Sequence, residues 1–500
     1  MNAHFSLFTM ELEWVLSISL GIFLVLISVW TWRHKEGRFP PGPMPLPFFG
    51  NLLQLNPKDI PKSFLALSHK YGPVFTLYLG PRRVVVLCGH EALKEALVDH
   101  GEQFCGRGEV PSVERMFKGF GIALANGERW KKLRHFSLLT LKNFGMGKCS
   151  IEERIQEEAQ FLLEKFRKTE GLPFDPTFLL NCTTSNIVCS IVFGKRFEYE
   201  DKTFLSMLDL TNKMFVELST PWAKLYDMYS GIMQYLPGGH KRVYNFLQDL
   251  KAFIDDRIRI NQETLDPKNP RDFIDCFLIE MEKEKGNPST EFTMNNLVFT
   301  AINLFTAGTD TVSFTLKYAF LLLMKYPEVA EKVKQEIDSV VGHNRVPAVK
   351  DRINMPYTNA VIHETQRLID IFPVGVPHKV TADTEFRGYL LPKDTNIIAV
   401  LGSALHDPKY FRDPKIFNPA HFLDEEGHFK KNDAFVPFST GKRSCVGESM
   451  ARMELFLYLT TILQSFSLKS SLAPNDIDIS PQLNGFLNIP PIFQLCLIPH

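Results

Sequence analysis

Phe438-Ser-Thr-Gly441-Lys-Arg443-Ser-Cys445-Val-Gly447 is the stretch best suited to metal chemistry. The run Val446 to Thr460, VGESMARMELFLYLT, combines long helix formers with an apolar face, so a helix is predicted to begin at Cys445. A sulfur at that mouth faces unpaired backbone N–H groups and the positive end of the helix dipole; both favour thiolate over thiol. Gly441 and Gly447 let the backbone pass close to a bulky planar group with no Cβ in the way. Arg443 can reach an anionic edge of that group, and Phe438 can keep water off the sulfur. A lone cysteine is usually a buried packing residue, but here five suited residues fall within ten positions. A haem satisfies all of them: its iron takes the thiolate and a propionate takes the arginine.

Three other stretches carry candidate chemistry. Thr293 can cap a helix that runs to about Lys325, with Pro327 opening the next one. About thirty residues make about 45 Å, enough to cross a domain. Its middle reads Ala307-Gly-Thr-Asp310-Thr311. Gly308 and the threonines at 306, 309 and 311 weaken a helix interior, and a threonine hydroxyl can bond the preceding turn and bend it open. Glu364-Thr-Gln-Arg367 sets acid and base three apart on a helical run from His363 to Ile369; on a surface such a pair contributes roughly 0–1 kcal/mol. Trp130 and Arg134, four apart, share a helical face.

Phe438, Gly441, Arg443, Cys445 and Gly447 at these spacings resemble the haem-binding signature of the cytochrome P-450 family. The resemblance runs from the proline-rich stretch near residue 40 to the C-terminus. It is closest to the microsomal family-two members that oxidise drugs, steroids and fatty acids. It implies a mostly α fold with small β-sheets (α+β): an N-terminal signal-anchor transmembrane helix (1–33), a basic, proline-rich hinge (34–50) and one large haem-thiolate domain (51–500).

The resemblance also implies roles. Cys445 binds the iron of haem b, with Phe438 and Ala307 against the porphyrin. Arg107, Trp130, Arg134, His378 and Arg443 hold its propionates, as charge-assisted bonds can. Thr311 hydrogen-bonds the oxygen being reduced and Asp310 relays protons from water. Glu364 and Arg367 form a buried pair bracing the loop before the cysteine. The family commonly completes that pair with an arginine in a later PxRF stretch, where this chain has Pro419-Ala-His421-Phe422. The pocket would comprise Ala123, Leu124, Phe215, Asn303, Leu304, Ala307, Phe372, Val376 and Phe486, an apolar set suited to a lipophilic small molecule.

The implied reaction inserts one atom of O2 into such a molecule. Electrons come from NADPH through an FAD/FMN flavoprotein reductase, with cytochrome b5 a candidate second partner. Two other readings keep the haem: an isomerase or dehydratase acting on lipid peroxides, and a non-catalytic haem-binding protein. The Asp310-Thr311 pair argues against the first, and an apolar pocket is unexplained by the second.

The positioning elements follow. Val74–Leu79 and Arg83–Leu87 read as a strand pair around Gly80-Pro81; beyond residue 88 the pattern is mostly helical. Trp14 to Trp32 is nineteen residues without a charge, long enough as a helix of about 28 Å for a hydrocarbon core of about 30 Å. Arg33, His34, Lys35 and Arg38 follow it, which by the positive-inside rule places the rest in the cytoplasm; the resemblance to microsomal members implies that the anchored membrane is the endoplasmic reticulum. Pro40 to Pro47 reads as a semi-rigid polyproline II spacer. Residues 129–148 carry six Lys and Arg and no acid, a surface that could steer an acidic electron donor. Residues 211–236 are rich in Met, Phe, Trp and Tyr at helical spacing, either core or a lid that dips into the membrane interface.

Bulk composition excludes other classes. Acids and bases balance at 56 each, so nothing points to nucleic acid. Eight cysteines are scattered with no CxxC pair, which suits a reducing compartment and is neither a disulfide framework nor a zinc site.

Overall fold

The β-branched runs pair as their alternation demands. In this computed structural model, which describes residues 19–21, 39–56, 59–146, 151–484 and 486–500, Val74–Leu79 (β1) and Arg82–Cys88 (β2) form an antiparallel pair from Val74↔Leu87 to Leu79↔Arg82. Short strands Gly106–Arg107 (β3) and His378–Lys379 (β4) follow. Beyond the hairpin of Thr384–Phe386 (β5) and Tyr389–Leu391 (β6) comes Asn396–Val400 (β7). The main sheet has the order β1-β2-β7-β4-β3, with β7 parallel to β2. Phe466–Lys469 (β8), Leu483–Asn484 (β9), Asn488–Ile489 (β10) and Cys496–Pro499 (β11) make two small C-terminal pairs, β8 with β11 and β9 with β10.

Helices supply the remaining framework, as expected beyond residue 88. The longest runs Met294–Lys325, capped by Thr293 Oγ1, which accepts from Asn296 N at 3.4 Å, and Pro327–Val340 follows it. At 32 residues it is about 48 Å long, and most of it is buried. It is not broken at its centre. Thr306, Thr309 and Thr311 each donate a hydroxyl to the carbonyl four residues back at 2.8 Å, and the helix continues through them. Gly308 has a packing reason instead: a Cβ there would lie 2.7 Å from Val188 Cγ2 of the Thr177–Val192 helix. Across the same contact Thr184 Oγ1 donates to Thr309 O at 3.0 Å and Ser185 Oγ bonds Thr309 Oγ1 at 2.9 Å. Two apolar cores flank the long helix and share it.

The proline-rich stretch is laid against the sheet rather than standing free. Thr76 N and Oγ1 donate to Pro41 O and Pro40 O, and Asn51 exchanges bonds with Tyr78. The anchor expected over residues 14–32 lies, but for 19–21, outside the described residues, as do Arg33 to Arg38 and Lys148. Among the described residues no helix is long and apolar enough to cross a membrane.

Candidate active site

The cysteine loop is a short 3-10 turn, Gly441–Arg443, followed by the Glu448–Ser465 helix. That helix begins three residues later than its sequence pattern suggests, with Gly447 as N-cap, so Cys445 stands ahead of it. The loop is closed by Cys445 N donating to Phe438 O at 2.9 Å. Gly441 is required by its φ of 73° and because a Cβ would fall 1.8 Å from Leu97 O. The glycine therefore admits protein backbone, not the planar group.

Burial pushes the Cys445 thiol above its ordinary value, and Glu448 adds to this; the N–H groups of Gly447 and Glu448 and the Arg134 guanidinium pull it back. The helix-mouth N–H groups thus favour the thiolate, as the sequence predicts, but do not outweigh the desolvation of the sulfur. A bound cation would, because coordination deprotonates a thiol outright.

Cys445 opens onto a largely apolar cavity of about 320 Å³. Into it the fold also brings Arg107, Ala123, Trp130, Arg134, Asn303, Leu304, Ala307, Thr311, Phe372, Val376, Phe438 and Arg443. Ala123 and Asn303 belong together: Asn303 Oδ1 accepts from Ile122 N (3.0 Å) and Ala123 N (3.1 Å), tying the loop before Trp130 to the long helix.

Five of the sequence candidates outside the ion pair do not line this cavity. Leu124 is buried in the neighbouring core. Phe215 stacks on Phe486 at 6.5 Å, and Phe486 meets Phe372 edge-on at 5.3 Å, so this pair backs the wall as a second layer. His378 is buried in β4, paired with Arg107, its Nδ1 donating to Phe104 O at 2.9 Å. Burial, then the Arg107 charge, push that imidazole down to about 3. Asp310 lies behind the wall, considered below. Sequence reading also missed Val188, Val192, Gln366 and Met450, which line the cavity. For the first two, the apolar run Ile187 to Phe193 was the available signal.

The donor set tests whether haem fits. Arg107, Arg134 and Arg443 all face this cavity, and none is paired with a carboxylate among the described residues. Arg107 gives Nε to Ala123 O (3.0 Å) and Nη1 to Val376 O (3.0 Å). Arg134 Nη2 reaches Ser444 Oγ at 3.3 Å. Arg443 gives Nε to Cys105 O and Nη2 to Ala125 O, stacks 3.8 Å over the Trp130 ring, and keeps Nη1 buried without a partner. Burial, then the Arg107 charge, push Arg443 down to about 8; burial and Arg134 take Arg107 to about 10. Three crowded, unneutralised guanidiniums beside a cysteine need an anionic partner, and a planar dicarboxylate with a thiolate-binding iron provides one.

Asp310 does not line the cavity; it is 1% exposed, with both oxygens unpartnered. Burial raises its carboxyl to about 7, with Lys317 pulling down. Glu364 and Arg367 are fully buried and bidentate, at 2.7 Å for both bonds. Arg367 also donates to Leu405 O, Pro414 O and Ile416 O, gripping the chain that leads to the cysteine loop. His421 is the third member: Nδ1 is 3.1 Å from Glu364 Oε2 and Nε2 2.5 Å from Arg412 O. Both ring nitrogens thus face acceptors.

The basic stretch on the Gly127–Met146 helix is partly neutralised, once from another segment and once from the first turn of the same helix. Arg129 pairs with Glu291 and Lys131 with Glu128, while Arg134 turns inward to the cavity.

The chain matches the family model described as Cytochrome P450 over residues 40–497. It is 62% identical over 483 residues to cytochrome P450 2G1 of Oryctolagus cuniculus, covering 97% of this chain and 98% of that protein. It is 57% identical over 484 residues to cytochrome P450 2A5 of Mus musculus, again 97% and 98%. To cytochrome P450 2C23 of Rattus norvegicus it is 53% identical over 477 residues, 95% and 97%. A cysteine loop, a clustered guanidinium set and likeness along nearly the whole length agree: the chain belongs to the cytochrome P450 family and is a family-two monooxygenase.

Proposed function

We propose that this chain, anchored in the endoplasmic-reticulum membrane, inserts one atom of O2 into a lipophilic substrate by hydroxylation or epoxidation and reduces the other to water. Its electrons come from NADPH through a flavoprotein reductase, with cytochrome b5 as a second donor. The observation that carries this reading is the convergence of Cys445 and three unneutralised guanidiniums on one largely apolar cavity.

Haem, when bound, supplies the oxygen activation; the chain's own residues bind, orient and handle protons. Cys445 Sγ is assigned the iron, and Arg107, Trp130, Arg134 and Arg443 the carboxylates. Phe438 shields the sulfur, with Arg452 held 5.0 Å from its ring. Ala307, Leu304, Phe372 and Val376 exclude water and hold an apolar molecule, with Phe215 and Phe486 behind them. Thr311 Oγ1 donates to Ala307 O at 2.8 Å, so its lone pairs are free to accept from a water facing the cavity. That water is the proton donor. Asp310, with a carboxyl near 7, is suited to hold the replacement proton at neutral pH.

Exposed apolar side chains support the membrane reading of the lid. Ile232 near the end of the Pro221–Met233 helix, Tyr235 and Leu236 just after it, and Phe48, Phe49 and Leu53 near the N-terminus, are all exposed. Tyr229 Oη donates to Phe48 O at 2.7 Å and joins the two groups.

Reconstituted with reductase, the protein should oxidise NADPH faster when a lipophilic substrate is added. An NADPH rate indifferent to every fatty acid, steroid and drug-like amine screened would refute the proposal. Thr311→Ala should keep NADPH consumption while hydrogen peroxide replaces product. Product per NADPH should fall roughly tenfold, less than the roughly 10²–10⁴-fold of a complete acid–base group, because Asp310 remains. Unchanged coupling would remove Thr311 from proton delivery.

A further inference from the structure

A second cavity, of about 270 Å³, adjoins the first. It lies between the Ile60–Tyr71 helix, the C-terminal end of the Pro356–Ile369 helix, the end of β7 and the β9–β10 hairpin. Its unsatisfied polar atoms are acceptors. Asp370 lines it and is 7% exposed. Its carboxylate has no hydrogen-bond partner among the described residues: His406 Nδ1 is 4.0 Å away and already donates to Gly402 O at 3.1 Å. Asn484 Oδ1 and Asn488 Oδ1 are buried without partners. The Asn488 amide is oriented by Nδ2 donating to Asp370 O at 2.8 Å and Ile369 O at 3.3 Å, so its oxygen is the end left over. Room for the carboxylate is built in: a Cβ on residue 402 would lie 2.0 Å from Asp370 Oδ2.

Charge agrees with the hydrogen-bond count. The negative end of the Pro356–Ile369 helix, with Asp370 as its C-cap at φ 42°, opens here. Asp59 also lines the cavity, although Oδ1 is occupied in capping Lys62 N at 3.1 Å. Lys62, the one lysine or arginine lining the wall, is exposed, and Lys224 Nζ comes no nearer than the Asn484 backbone carbonyl, at 3.5 Å. Burial raises Asp370 to about 7, with Arg367 pulling down, and a bound cation would restore its ionised form.

We propose that this cavity binds a small organic cation with several N–H donors, a protonated amine or alkylguanidinium, held by Asp370, Asn484 and Asn488. Its occupancy changes substrate affinity, because the wall between the cavities is one chain thick. Ile369 lines both; Ile371, Phe372 and Leu401 face the active cavity, while Asp370, Pro373 and Gly402 face the second. Moving Asp370 therefore moves Phe372. Neither the binding nor its calorimetric readout depends on oxygen chemistry.

The test is calorimetric titration of the full-length haem-loaded protein with n-butylguanidinium, which has no lone pair to offer iron. Saturable one-to-one binding is expected, weakened at least tenfold by Asp370→Asn. Leu65→Trp, which fills the cavity from the Ile60–Tyr71 helix, should weaken it equally and carries the test should Asp370→Asn fail to fold. The cation should shift the apparent substrate affinity in a spectral titration, and substrate should shift the cation's affinity by the same factor. Absent saturation, or binding indifferent to both substitutions, overturns the site; an unshifted substrate affinity overturns the coupling.

Discussion

Cys445→Ser should give a folded protein whose reduced, carbon monoxide-treated spectrum lacks the red-shifted band of thiolate-bound haem. The serine hydroxyl has nearly the sulfur's shape but does not ionise as a thiol does, so the iron loses its anionic ligand. Losing even a residue that only orients a metal ligand costs metal sites roughly 10–100-fold in affinity, so haem content after purification should fall by at least that factor and NADPH-driven turnover reach background. The loop should survive. Its closing bond, Cys445 N to Phe438 O, is backbone, and Gly441 and the Glu448–Ser465 helix are untouched. The protein freed of haem should therefore unfold at the same temperature with Cys or Ser at 445, while added haem stabilises only the cysteine form strongly, by mass action. A serine variant that kept the band and its haem would remove the sulfur from the site.

Why some of this could be read from the sequence and some not comes down to range. Cys445, Arg443 and Phe438 lie within one turn of chain, and the chemistry they suggest needs nothing distant. The Met294–Lys325 helix was legible because cap, periodicity and following proline are all local. Glu364 and Arg367 were visible as a pair, but that they are buried depends on Leu405, Pro414 and Ile416 being brought over them, which no spacing encodes. His421 was the doubtful third member for the same reason; only folding puts it 3.1 Å from Glu364. Gly308 and its threonines were read as a weakness in the helix, because their partners Val188, Thr184 and Ser185 lie more than a hundred residues away. The basic helix looked uniformly cationic because Glu291, which neutralises Arg129, belongs to another segment. For the cysteine, the pull of the helix N-terminus toward thiolate was legible, because the Gly447 and Glu448 N–H groups are local; the opposing desolvation of the sulfur was not, because it comes from the fold around it.

Arg367→Ala should prevent the protein from accumulating as a folded, haem-loaded species. Removing the guanidinium strands the Glu364 carboxylate, which has no exposure to water, and breaking a buried pair in this way costs roughly 3–5 kcal/mol. Three carbonyls, of Leu405, Pro414 and Ile416, lose their donor at the same time, each worth about 1–3 kcal/mol when left buried and unmet. These costs overlap and do not simply add, yet together they approach the roughly 5–15 kcal/mol that holds a typical domain. The damage falls on the segment that leads into the cysteine loop, so haem retention should fail before the distant sheet does. Arg367→Lys keeps the charge but not the planar fork, and cannot span Glu364 and three carbonyls at once; intermediate haem content is expected. Removing Lys131, whose pair with Glu128 is exposed on both sides and screened by water, should leave the melting temperature and haem content unchanged and serves as the control. The double substitution Glu364→Ala with Arg367→Ala should cost less than the sum of the singles, because each single strands the other's charge. Wild-type haem content and melting temperature in Arg367→Ala would show that the pair is an ornament of the fold, and that the cysteine loop is held in place by something else.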